Sequence, residues 1–154
     1  MSLTSLLYIS RSVITPSDAE PALHEIVATA LRRNTSRQLT GALLFTGTHF
    51  AQVLEGEASA IDDLMFHIRA DSRHDALMIV DRRGIHQRRF ADWSMAYFGP
   101  SQFVSRHVTR LLNDQTAAHQ SRAAEWLTEL LCEFSSAESL EVGDSAFPLT
   151  VEKR

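Results

Sequence analysis

Residues 39–56, Leu-Thr-Gly-Ala-Leu-Leu-Phe-Thr-Gly-Thr-His-Phe-Ala-Gln-Val-Leu-Glu-Gly, constrain the fold more than any other stretch. Strand-forming apolar residues flank a short break at Gly47 and Thr48, the signature of a β-hairpin. Side chains alternate along a strand, so Gln52 shares a face with Phe50 and Leu54. If that face is the core, an amide lies among apolar groups. Left without partners it costs roughly 1–3 kcal/mol, so another polar part of the chain or a ligand with hydrogen-bonding edges must meet it.

The hairpin belongs to a repeating pattern. Residues 3–10 read as a strand with Leu6, Tyr8 and Ser10 on one face and Leu7 and Ile9 on the other. Thr15 to Asp18 supply a turn and a helix start, with Ser17 and Glu20 spaced as a capping box and Pro21 in the first turn. Leu23, Ile26, Val27, Ala30 and Leu31 then recur at helical spacing, and Arg32, Arg33 and Asn34 close that helix, Asn34 supplying the turn geometry. After the hairpin, Ile61, Leu64, Met65 and Ile68 mark a second amphipathic helix over 58–70. A polar turn at 71–75, a buried strand at 76–80, a polar connection and a last strand from about 89 to 98 complete the series. The order β-α-β-β-α-β-β predicts an α/β (α+β) ferredoxin-like sandwich with both helices side by side on one sheet face.

Residues 99–135 read as a C-terminal helical cap, in which Ala123, Trp126, Leu127, Leu130, Leu131 and Phe134 form an apolar stripe. Docking on the sheet's open face is the expected use of such a stripe, with a second copy or an output partner as the other occupants. Residues 136–154, acidic among small residues, read as a flexible tail, and residues 1–98 as the ligand-bearing domain.

Composition limits function. With 154 residues, 44% hydrophobic and 22% charged, the chain builds an ordinary core. A net charge of -4 argues against general nucleic-acid binding. The sole cysteine, Cys132, excludes an internal disulfide framework, and no stretch approaches membrane-spanning length or a signal-peptide core. These readings predict a cytoplasmic protein without membrane contact. The seven histidines show no metal-ligand spacing. Nor does any nucleophile or acid-base pair have convincing spacing, so the chain is expected not to be an enzyme. Tyr8, Asn34 and Gln52 are polar at the sheet or a helix end, and Arg69, Asp71, Arg73 and His74 cluster after the second helix. By spacing alone a strand tyrosine is as well a core residue, Asn34 a helix cap and the charged cluster a solvated turn.

The blocks Leu-Tyr-Ile-Ser at Tyr8, Arg-Arg-Asn ending at Asn34, Leu-Thr-Gly ending at Gly41, and Phe-Ala-Gln-Val-Leu-Glu-Gly around Gln52 are followed by two more. These are Ile-Arg-Ala-Asp-Ser-Arg-His across Arg69 to His74 and Arg-Arg-Phe-Ala-Asp-Trp-Ser-Met ending at Met95. In order and spacing they resemble the BLUF domains, sensors of blue light using FAD, over about residues 3–98. Residues after Pro100 resemble the variable cap of short, stand-alone members. The resemblance implies a blue-light photoreceptor with a flavin, FAD or else FMN or riboflavin, between the two helices. It sets Gln52 between Tyr8 and the flavin N5/O4 edge and Asn34 on the ring's polar edge. Arg69, Asp71, Arg73 and His74 become candidates for the ribityl and phosphate side. It further implies that light draws an electron and a proton from Tyr8, that Gln52 rotates or tautomerises, and that a red-shifted signalling state results. Trp93 and Met95 are then signalling candidates beside Gln52, or else core filling. Output would pass to an unknown downstream protein, with homo-oligomerisation expected. The competing reading is a ferredoxin-like flavin- or small-molecule-binding module or enzyme without light sensing.

Overall fold

The computed structural model describes residues 2–91, 96–98, 122 and 124–132. The hairpin forms as its pattern dictates: β2 (Thr40–Phe45) and β3 (His49–Gly56) pair antiparallel, Leu43 opposite Gln52. The turn between them carries Gly47 at φ 99°, a left-handed backbone that glycine adopts without a Cβ clash. Gly41 answers a different demand. A Cβ there would lie 1.9 Å from the carbonyl oxygen of Val53, so the two strands could not approach as they do around any side chain.

β1 (Leu3–Ser12) pairs with β3 on one side and with β4 (His74–Ile85) on the other, and β5 (Ala96–Phe98) runs parallel to β2. The strand order is β4-β1-β3-β2-β5. Helices α1 (Ala19–Ser36) and α2 (Ala58–Ala70) join these strands. Together they give the ferredoxin-like arrangement, with β1 and β3 at the centre of the sheet.

Alternation sorts the sheet into two cores. Leu6, Tyr8, Leu43, Phe50 and Leu54 face the helices and pack with Leu23 and Val27 of α1 and with Ile61, Leu64 and Met65 of α2. Leu7, Ile9, Ala42, Leu44, Ala51 and Val53 face the other way. That second face is covered by a helical segment, α3, over 124–132, through Ala124, Leu127 and Leu131, together with Phe90. The described part of the apolar stripe is thus spent on intramolecular docking. Phe134, Ala123 and the remainder of 99–135 and 136–154 lie outside the described residues.

Several local expectations change. The capping box does not form, because Ser17 falls inside a 3-10 turn over Pro16–Asp18 and Asp18 takes the N-cap position of α1 without a side-chain cap bond. α1 continues two residues past Asn34, and Gln38, at φ 56°, makes the left-handed turn assigned to Asn34. The strand read as 76–80 and buried is a twelve-residue edge strand, half-exposed along its length. It begins at His74, inside the expected polar turn. Its charged second half persists because an edge faces water, and Arg82 pairs with Asp62 and Arg83 with Asp81 and Glu125. Register shifts in its pairing with β1 set Ala76 at φ 50° in a bulge. The last strand is shorter than 89–98: residues 89–91 are not strand, and its described part is Ala96–Phe98. Trp93 and Met95 lie outside the described residues. Among the described residues no helix is long and apolar enough to cross a membrane.

Candidate functional site

A cleft of about 580 Å³, part of it open to solvent, lies between α1 and α2 above the sheet. Apolar walls come from Ile26 and Ala30 on α1 and from Leu64 and Ile68 on α2. The sheet supplies a floor of Tyr8, Leu43, Phe50 and Gln52.

Two of the floor residues meet. Tyr8 and Gln52 are directly opposite in the β1-β3 register, which sets both side chains on the helix face. The Tyr8 phenol donates a hydrogen bond to Oε1 of Gln52, and both residues are 4% exposed. The amide identified as out of place in a core therefore has the tyrosine as one partner, and Nε2 is its donor end. Burial pushes the Tyr8 phenol well above its ordinary pKa, and the negative charge of Asp71 adds to the shift. Tyr8 thus keeps its proton throughout the physiological range.

Asn34 is wholly buried near the C-terminal end of α1 and lines the same cleft. The later candidates divide. Asp71, Arg73 and His74 line the cleft. Arg69, on the last turn of α2, is exposed and outside the cleft lining. Asp71 and Arg73 form a bidentate pair at 2.9 and 2.6 Å, and the Arg73 backbone N–H also donates to Asp71. That side-chain hydrogen bond holds the Asp71 carboxyl below the usual carboxylate range. His74 contacts Ser10 Oγ at 2.7 Å through Nδ1 and the Ile68 carbonyl at 2.6 Å through Nε2. A carbonyl only accepts, so Nε2 carries hydrogen and the ring ties β1, β4 and α2 together. Its edge also meets Tyr8 and Phe50, at centroid distances of 6.4 and 6.2 Å.

Two polar lining residues, Thr29 and Arg33, were not singled out as site residues by sequence. A signal existed: Ile26, Thr29, Ala30, Arg33 and Asn34 recur at i, i+3, i+4, i+7 and i+8, a stripe turned one step from the core stripe toward α2. The set fits a flavin. A flat aromatic ring with a polar edge needs apolar walls, amides that donate and accept, and a cationic rim for its phosphate, here Asn34 and Gln52 with Arg33 and Arg73.

The Asp71-Arg73 pair has a measurable consequence. A carboxyl whose folded pKa is depressed stabilises the fold above its unfolded pKa, about 3.9, and loses that contribution as pH falls through the lower folded value. Wild type is therefore expected to be more stable than Asp71→Asn from neutral pH to about pH 5. The gap in thermal midpoint should close below about pH 4. A gap unchanged to pH 2 would mean that the Asp71 charge is not what stabilises.

A protein-family model described as BLUF, sensors of blue-light using FAD, matches residues 3–96. Photoactivated adenylate cyclase subunit beta of Euglena longa is 37% identical over 94 residues, which are 60% of this chain and 11% of that protein. The blue light- and temperature-regulated antirepressor BluF of Escherichia coli (strain K12) is 35% identical over 96 residues, 62% of this chain and 23% of that protein. The chain thus corresponds to a small part of the curated relatives' length. The dark-state structure of BlrB, a BLUF protein, is 34% identical, with a TM-score of 0.62 over 80% of this chain and 97% of its own. The photo-activated state of BlsA, 20% identical with a TM-score of 0.71, covers 94% of this chain and 99% of its own and shares the fold.

Proposed function

Because the chain belongs to the BLUF family of sensors of blue light using FAD, we propose that its light reaction is carried by Tyr8 and Gln52 on a flavin held in the α1-α2 cleft. The observation that supports this most is the buried hydrogen bond from the Tyr8 phenol to Gln52, on the floor of a cleft that Asn34 also lines.

The bound flavin supplies the photochemistry, absorbing blue light and becoming a strong oxidant. Ile26, Leu64 and Ile68 exclude water from it, and the side-chain amide of Asn34 orients its polar edge. Arg33 and Arg73 hold its phosphate side, and of the flavins FAD is the one we assign. Among the described residues the Arg33 side chain has no ion pair, whereas Arg73 is shared with Asp71 and, at 3.8 Å, with Glu25. Tyr8, protonated in the dark, gives up an electron and then its phenolic proton, which leaves along the hydrogen bond to Oε1 of Gln52. Gln52 is the relay. Its amide has a donor end and an acceptor end, so turning it, or moving its proton from nitrogen to oxygen, exchanges what it offers to Tyr8 and to the ring edge. The electron and proton return to Tyr8, leaving a changed hydrogen-bond pattern and no consumed substrate. Output then passes by protein contact to a separate partner or to further chain, as a shift between two states of neighbouring elements.

Illumination tests this directly. Purified protein is expected to carry flavin, to shift its absorption to the red in blue light and to revert in the dark. Protein that neither contains nor takes up flavin, or whose spectrum ignores light, would refute the reading.

A further inference from the structure

Glu55 is a buried carboxylate with no part in the light reaction. It lies 1% exposed on the central strand β3, three residues beyond Gln52. The odd spacing sends its side chain to the opposite face of the sheet, the α3 side with Ala51 and Val53. Its oxygens accept the Thr40 hydroxyl at 3.0 Å and the backbone N–H groups of Arg89 at 2.7 Å and Phe90 at 2.8 Å. Arg88 reinforces the junction, donating to the Glu55 carbonyl at 2.9 Å and to Thr40 Oγ1 at 3.0 Å.

Arg89 is held from both sides. Its N–H is bonded to Glu55 on the central strand, and its carbonyl accepts the Cys132 thiol of α3 at 3.6 Å. The next residue, Phe90, is 1% exposed and packs with Ala124, Leu127 and Leu131 of α3. One side chain on the strand that carries Gln52 thereby fixes a junction at which residues 88–90 meet both the sheet and α3.

We propose that Glu55 is the positioning residue that couples the light reaction to α3, its hydrogen bonds to the Arg89 and Phe90 amides loosening when Gln52 rearranges. The inference rests on the sensor reading above. Gln52 and Glu55 are separated by roughly 10 Å of extended strand, whose backbone is clamped by ladders on both sides. A displacement of that strand is delivered to Glu55 with little slack. Charge-assisted hydrogen bonds are short and directional, so a small shift weakens them more than it weakens the surrounding apolar contacts. Residues 88–90 and α3 are then the element whose two arrangements the cleft biases.

Amide hydrogen exchange on the full, flavin-loaded chain in darkness and under continuous blue light tests the coupling. Exchange at Arg89, Phe90 and residues 124–132 is expected to rise about fivefold or more in the light, the lower end of couplings between sites. In Glu55→Gln, which keeps the shape but offers one acceptor oxygen, the red shift is expected to remain. Exchange at these amides is expected to be high already in the dark and to respond no further to light. A purely structural Glu55 would alter dark exchange without removing the response to light. Coupling is overturned if wild-type protein shows the red shift while Arg89 and Phe90 exchange equally in light and dark, or if Glu55→Gln keeps the full response. Should Glu55→Gln fail to fold, the wild-type comparison decides alone. A wild-type protein without a red shift instead overturns the sensor reading, and the coupling with it.

Discussion

Tyr8→Phe is expected to abolish the light-induced red shift while the protein stays yellow, and Gln52→Leu is expected to do the same. The first removes the phenol that gives up the electron and proton, and the second removes the amide that answers it. Both substitutions keep most of the packing volume. Each leaves one buried polar group without its partner, at a cost of about 1–3 kcal/mol against a fold stable by roughly 5–15 kcal/mol, so the chain still folds. The double variant carries the sharper stability expectation. With both members of the pair replaced by apolar groups neither leaves the other unmatched, so it should be destabilised by less than the sum of the single variants in urea titrations. Light-minus-dark absorption spectra check the photochemistry. A normal photocycle in either single variant removes that residue from the reaction.

Gln52 was legible in the sequence for a physical reason. Gln52 breaks the polarity of an otherwise apolar strand face, and a two-residue period is enough to say on which side it lies. Which residue met it was not legible from periodicity, because pairing register is set by tertiary contact; only the family resemblance put Tyr8 beside it. The opposition of Tyr8 and Gln52 in the β1-β3 ladder supplies the missing step. The two helices were equally readable, their apolar residues recurring with the helical period on the faces that pack against the sheet.

Where sequence reading went astray, water and chain direction explain it. β4 looked like a five-residue buried strand because its charged half was taken for a loop, yet an edge strand needs burial on neither side. Arg69 was grouped with Asp71, Arg73 and His74 by sequence adjacency. The last turn of α2 leaves it exposed, whereas the chain leaving the helix brings the other three to the cleft. Glu55 was not singled out at all, since nothing local reveals that backbone amides 34 and 35 residues later will fold onto it.

The second large effect concerns α3. Leu127 and Leu131 are 1% and 0% exposed, and burial of each stabilises docking by about 1.5–3 kcal/mol. An aspartate at either position must shed its hydration or drive the helix away, and with both replaced undocking is the lower-energy outcome. Leu127→Asp with Leu131→Asp therefore uncovers Leu7, Ile9, Leu44, Val53 and Phe90, a contiguous apolar face. Such a face associates. The double variant is expected to raise the mass seen in light scattering or to fall out of solution. Whatever remains soluble is expected to keep its flavin and its red shift, because Tyr8 and Gln52 lie on the other side of the sheet. Glu55→Gln attacks the junction of residues 88–90 without removing these apolar contacts, so it should leave the mass unchanged. If the Leu127 and Leu131 variant stays soluble at unchanged mass, α3 is not what keeps that face out of water.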